Sequence, residues 1–181
     1  MSGHVPHRRA AGCLIMARRT GRFLFCLRSR STTQASTWSV WGGKREGSET
    51  PIETALREVR EETGLRTDAL PSHIHRLSSR NFTYDTFLLV VDDEFCPAST
   101  RESDGYAWLP IEHVPSPTHW GLEKLLEDAA AVRRIARAVE SISGRPCALR
   151  PRQPAPRPED GTWTRVPGRR ATRAARSRNA R

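Results

Sequence analysis

The chain contains no apolar run near the ~18 residues needed to span a membrane as a helix, so no membrane partner is expected. It has only four cysteines, Cys13, Cys26, Cys96 and Cys147. None lies at CxxC spacing or beside a histidine cluster, which argues against a disulfide framework or a structural zinc site. The apolar stretch near the N-terminus is only strand-length and leads to no small-residue cleavage site, so the chain is expected in the cytoplasm. Acidic residues are few, 20 against 30 Lys and Arg for a net charge of +10. That imbalance is local. Residues 145–181 carry eleven arginines against Glu159 and Asp160, leaving 19 basic and 18 acidic side chains in the first 144 residues. The high isoelectric point therefore describes a tail and says little about the folded part.

The length of 181 residues suits one domain with a tail left over. We read a flexible N-terminus at 1–7, a domain at 8–143 and an Arg/Pro-rich tail at 144–181. The tail interleaves arginine with Pro146, Pro151, Pro154, Pro156, Pro158 and Pro167. Such a segment buries too little apolar surface to offset the entropy of ordering, and disorder is expected from about Gly144 onward. It is either inert or a contact for RNA, DNA or another polyanion; Trp163 is its single aromatic residue.

Within the first 144 residues, apolar runs at 11–17 and 22–28 flank a Thr20-Gly21 turn and read as a β-hairpin. A short strand at 38–41 ends at Gly42-Gly43. Strands are expected at 73–79 and 83–91. The second is nearly continuous in apolar residues and so central in its sheet. Another at 106–109 is closed by Pro110. Residues 120–142 show helical spacing, with Leu122, Leu125, Leu126, Ala129, Val132, Ile135, Ala136 and Val139 on one stripe. Strands with two intervening helices predict an α/β fold, a mixed sheet between helical layers.

The most informative segment is TPIETALREVREETGL, residues 50–65. Thr50 and Glu53 form a capping box, Pro51 suits the first helical position, and Gly64 suits a left-handed stop. Ile52, Ala55, Leu56 and Val59 can form a buried stripe. Glu58, Glu61 and Glu62 stand at i, i+3 and i+4, so three carboxylates gather on one face and repel by about 0.2–0.5 kcal/mol per exposed pair. Alone, such a face is usually solvated charge. A hard divalent cation, however, wants this kind of oxygen cluster. The preceding loop, WSVWGGKREGSE, offers backbone that an ion or phosphate can approach at Gly42 and Gly43, with Lys44 and Arg45 beside it.

Taken together, Gly43, Glu49 and the run Arg57-Glu58-Val59-Arg60-Glu61-Glu62-Thr63-Gly64-Leu65 resemble the Nudix box at every fixed position. Chance coincidence of seven such residues is well under roughly one chain in a million. The resemblance extends over about residues 8–142: two strands precede the box, Trp41 precedes the glycine pair, and Glu102 lies upstream of AWLPIEHVP. The basic tail has no counterpart in the family pattern.

The resemblance implies a Nudix-type α/β/α sandwich and hydrolysis of a phosphoanhydride bond in a nucleoside diphosphate linked to another moiety. It implies Mg²⁺, with Mn²⁺ able to substitute, held by Glu58, Glu61, Glu62 and the Gly42 carbonyl. Arg57 would orient the carboxylates with Glu49 as partner and Gly43 in support. The general base would be Glu58 or Glu102, with Asp104 competing for the later position. Substrate identity lies outside the box: Lys44, Arg28 and Arg30 could meet phosphates, and Trp38, Phe82, Tyr84 or Phe87 could stack on a base or simply pack the sheet. Homodimerisation is common in the family and stays open here. Two other functions remain in view: a silent nucleotide sensor, against which the full set of glutamates argues, and an RNA 5′-end pyrophosphohydrolase recruited through the basic tail.

Overall fold

Ten residues from Arg8 to Ala17 form strand β1, and the last eight of them are buried. That run is apolar throughout because helices cover both of its faces. Ala11, Cys13, Ile15 and Ala17 point to one core, with Trp41, Ala55 and Val59. Leu14 and Met16 point to the other, with Leu122, Leu125 and Ile135. The computed structural model describes residues 7–98 and 100–154. The remaining strands are β2 (Phe23–Arg28), β3 (Trp38–Ser39), β4 (Trp41–Lys44), β5 (Ser72–Ser79), β6 (Phe82–Val91) and β7 (Ser103–Leu109). The helices are α1 (Pro51–Thr63), α2 (Trp120–Glu127) and α3 (Ala129–Ser143).

The sheet has the order β3-β2-β1-β6-β5, with β4 also pairing β1 and β7 also pairing β2. β1 and β6 are parallel over ten register pairs from Arg8↔Phe82 to Ala17↔Val91; the other pairs are antiparallel. α1 covers one face and α2 with α3 the other, which is the expected α/β/α sandwich with a mixed central sheet. The hairpin of β1 and β2 and the central place of β6 also match the sequence pattern. No helix among the described residues is long and apolar enough to cross a membrane.

Three expectations need correction. The strand expected at 38–41 is two: Trp38–Ser39 pairs with β2, while Trp41–Lys44 switches to β1 and carries Gly42 and Gly43 within it. The single helix expected at 120–142 is broken at Asp128, whose side chain accepts from the Ala130 N–H at 2.8 Å and caps a new helix. Packing does not stop near Gly144. Cys147 and Leu149 are both buried in the α2/α3 core. The Ala148 N–H donates to Glu112 Oε1 at 2.9 Å, and the Arg152 N–H donates to the Leu126 carbonyl at 2.8 Å. Two apolar side chains and two backbone bonds thus fix a strap that composition alone assigns to the tail. The expectations about residues 1–6 and about 155–181, disorder and polyanion contact included, lie outside the described residues.

Candidate active site

The helix that carries the acids is built as its local signals dictate. Thr50 Oγ1 accepts from the Glu53 N–H at 3.3 Å, and Glu53 Oε2 accepts from the Thr50 N–H at 2.7 Å. Pro51 stands in the first turn, and Gly64 closes the helix at φ +73° with its N–H on the Arg60 carbonyl. Thr54, Ala55, Val59 and Thr63 form the buried stripe, with Ile52 packed beside it. The two threonines take the place expected for Leu56, which lies outside the buried set. That rotation aims Glu58 and Glu62 at β4.

Arg57 organises the acids. Its Nε donates to Glu49 Oε1 at 2.7 Å, and its Nη2 donates to Glu49 Oε2 at 3.2 Å and to the Lys44 carbonyl at 2.8 Å. Its Nη1 donates to Glu58 Oε1 and Glu61 Oε2, both at 3.0 Å. These bonds hold the Glu49 carboxyl down at about 2, and the same partners push Arg57 above its ordinary range. Glu49 therefore anchors Arg57, and Arg57 fixes the headings of Glu58 and Glu61.

The other two acids are desolvated. Burial raises Glu58 above the usual carboxylate range against the opposing pull of Arg57. Burial likewise lifts Glu62 to about 8, although its Oε2 accepts from the Gly42 N–H at 2.8 Å. Glu102, in the turn before β7, adds its negative field at both Glu58 and Glu62. Asp104 instead accepts from the Arg30 N–H at 3.3 Å, and Glu102 is the loop acid that the fold brings to the cluster.

Glycine makes room for this arrangement. A Cβ at Gly43 would fall 2.5–2.6 Å from all three atoms of the Glu58 carboxyl group, so any side chain there displaces the acid. The donor set fits a hard divalent cation: carboxyl oxygens, two of the acids buried where a cation would replace a proton, and a cradle that a side chain would fill. Among the described residues no three acidic, His or Cys side chains already form a finished cage, and Glu61 is bonded to Arg57. At Gly42 the N–H is the group bonded to Glu62.

A cleft of about 330 Å³ opens on the α2 side of the sheet, next to Gly42, Gly43 and Lys44. Arg28, Lys44 and Tyr84 line it. Phe82 and Trp120 form its aromatic rim, with ring centroids 5.9 Å apart. The Tyr84 hydroxyl reaches between Gly12 and Gly42; a Cβ at either position would come within 2.2 or 2.7 Å of it. Trp38 does not line the cleft and packs against the core instead. Phe87 faces the α1 layer, edge-on to His73, and Arg30 is not in the lining.

Sequence reasoning missed Gln34, His119 and Trp120. The Trp120 N–H donates to Gln34 Oε1 at 3.1 Å, and the Gly121 N–H donates to His119 Nδ1 at 3.1 Å. Burial holds His119 down at about 4, a neutral imidazole at pH 7. Neither loop has a spacing signal that could have found them. An exposed tryptophan opening an amphipathic helix was the one available hint.

The sequence matches the NUDIX domain over residues 6–129. A relative from Mycobacterium tuberculosis, provisionally named 8-oxo-dGTP diphosphatase 3, is 30% identical over 145 residues, 72% of this chain and 67% of the relative. Among solved structures, the chain is similar to the Nudix hydrolase RenU from M. smegmatis, with a TM-score of 0.59 and 24% identity over 76% of this chain and 88% of that one. It is also similar to a MutT protein from Methanosarcina mazei, with a TM-score of 0.55 and 21% identity over 75% of this chain and 97% of that one. At these identities the structural likenesses speak for the fold.

Proposed function

Given that this chain belongs to the Nudix family and is a Nudix hydrolase, we propose that it hydrolyses a phosphoanhydride bond in a nucleoside diphosphate linked to another moiety, with Mg²⁺ or Mn²⁺ as cofactor. One observation supports this above others: a single guanidinium, Arg57, gathers Glu49, Glu58 and Glu61 beside two glycines, where a nucleotide-sized cleft opens.

In this reading Glu58, Glu61 and Glu62 would hold the cation, with the Gly42 carbonyl as a further ligand. A bound divalent cation neutralises phosphate oxygens and lowers the pKa of water. The residues of the chain do the rest. Glu61, more than half exposed and held by a single bond to Arg57, would be free to turn to the cation. Arg57 stays fixed on Glu49 and the Lys44 carbonyl and keeps Glu58 over Gly43. Glu102, exposed and outside the Arg57 clamp, takes the proton of the attacking water on a carboxylate oxygen. Lys44 and Arg28 meet the phosphates, and Phe82, Trp120 and Tyr84 pack the base, with Gln34 and neutral His119 at its edge. Retention of every box glutamate favours an enzyme over a nucleotide sensor.

The relative's name makes an oxidised guanine deoxynucleoside triphosphate the first substrate to try. The test is a panel of nucleoside triphosphates, their 8-oxo forms, sugar nucleotides and dinucleoside polyphosphates. At least one should be cleaved with Mg²⁺, and cleavage should cease with chelator. Failure on every compound with magnesium present would remove the proposal.

A further inference from the structure

The open ends of β1 and β4 set like charges side by side. The Arg45 N–H donates to the Arg9 carbonyl at 3.0 Å, and Lys44 stands opposite Ala10, so Arg8, Arg9, Lys44 and Arg45 crowd one corner of the sheet. Like charges on adjoining strands destabilise a sheet. Among the described residues, none of these four forms an ion pair. Arg45 Nε is buried without an acceptor, a costly state for a charged donor. An arrangement that repels itself and leaves a donor unmet is one that an external anion would complete.

The surroundings agree. His7, Arg8, Arg9, Lys44, Arg45 and Gly47 line an open hollow of about 410 Å³ that holds no carboxylate. A neighbouring hollow shares His7, Arg9 and Arg45. Its acid, Asp85, is already bonded to Arg76 and His73 at 2.8 Å each. Glu53 feels the charge of Arg45 but is committed to the Thr50 cap. Arg8 and Lys44 line both the first hollow and the substrate cleft. At ~3.4 Å per strand residue, Arg45 lies about 7 Å beyond Gly43. The positive track therefore leaves the cleft beside the glutamates and continues outward.

We propose that His7, Arg8, Arg9, Lys44 and Arg45 form a subsite for an oligophosphate chain, so that the preferred substrate carries phosphates beyond the two joined by the bond that is cut. The substrate part rests on the hydrolase reading; the anion site stands apart from it and is tested without turnover. Thermal unfolding is followed in chelator with inorganic tripolyphosphate, a nucleoside tetraphosphate and a nucleoside monophosphate. The comparison is between wild type, Arg9→Gln and the double variant Arg9→Gln/Arg45→Gln.

Tripolyphosphate should raise the melting temperature of wild type, and the derived affinity should fall by roughly tenfold to a hundredfold on loss of one charged contact. Binding of the monophosphate should be nearly unchanged. Tighter binding of the tetraphosphate than of tripolyphosphate assigns the phosphates to a nucleotide; equal binding assigns them to a free chain. Arg9 is exposed, so the single variant carries the test if the double one does not fold. Equal stabilisation of wild type and Arg9→Gln overturns the proposal. So does a single-stranded RNA without a 5′ oligophosphate that binds in an Arg9-dependent way where tripolyphosphate does not. A protein that binds tripolyphosphate here yet cleaves nothing would sink the hydrolase reading alone.

Discussion

Glu61→Gln will lower turnover of the accepted substrate by about a hundredfold or more and leave the fold nearly untouched. Loss of a group that merely supports a metal ligand costs 10–100-fold in typical sites, and loss of a ligand itself should reach at least the upper end. Folding is spared because the Glu61 side chain is 54% exposed and makes one polar contact, to Arg57 Nη1. Arg57 keeps Glu49, Glu58 and the Lys44 carbonyl without it. Steady-state rates with Mg²⁺ and a thermal melt check both halves. Turnover within a fewfold of wild type would remove Glu61 from the reaction, and a collapse of the melt would make its role structural.

Gly12→Ala should have the largest effect on stability. Gly12 is buried in the central strand, and a Cβ there would lie 2.2 Å from the Tyr84 hydroxyl and 2.3 Å from the Trp41 carbonyl oxygen. The second neighbour is backbone in a paired strand and cannot rotate away. Overpacking of this kind costs about 1–3 kcal/mol, and the backbone clash puts this site near about 3 kcal/mol. For a domain of this size that lowers the melting temperature by roughly 6–12 °C. Adding Tyr84→Phe should restore only part of the loss, because one of two obstructions remains. Full rescue, or no loss in the first variant, would show that the strands part more easily than the packing indicates.

The box helix was legible because its signals are local. Thr50, Pro51, Glu53 and Gly64 each act within one or two turns, and the i, i+3, i+4 spacing of the glutamates needs no tertiary information. β1 and β6 were legible because burial on both faces leaves a long apolar run in each, Ala10–Ala17 in the first and Phe87–Val91 in the second. What sequence could not show depends on contacts distant along the chain. The split at Asp128 turns on a single capping side chain inside an otherwise continuous apolar stripe. The strap through Cys147 and Leu149 is hidden by the arginines and prolines around two apolar residues. Trp38 and Phe87 looked equivalent to Phe82 and Tyr84 as stacking groups. Strand alternation alone sets Phe87 on the face opposite Phe82 and Tyr84; only tertiary placement decides that Trp38 packs on the core while the other two meet the cleft. The aromatic–amide rim of Gln34, His119 and Trp120 joins loops about 85 residues apart, which no spacing rule encodes.

The most direct measurement is a Mn²⁺ titration of the substrate-free protein, followed by the loss of the free-ion electron paramagnetic resonance signal, for wild type and Glu62→Gln between pH 6 and 9. Burial lifts the Glu62 carboxyl to about 8, so a cation must displace its proton at lower pH. Wild type should take up Mn²⁺ weakly at pH 6 and increasingly well as the pH passes 8, while Glu62→Gln binds less at every pH and loses most of that rise. Equal binding by the two proteins, or no uptake by wild type at pH 9, would contradict the assignment of the α1 acids as the cation site.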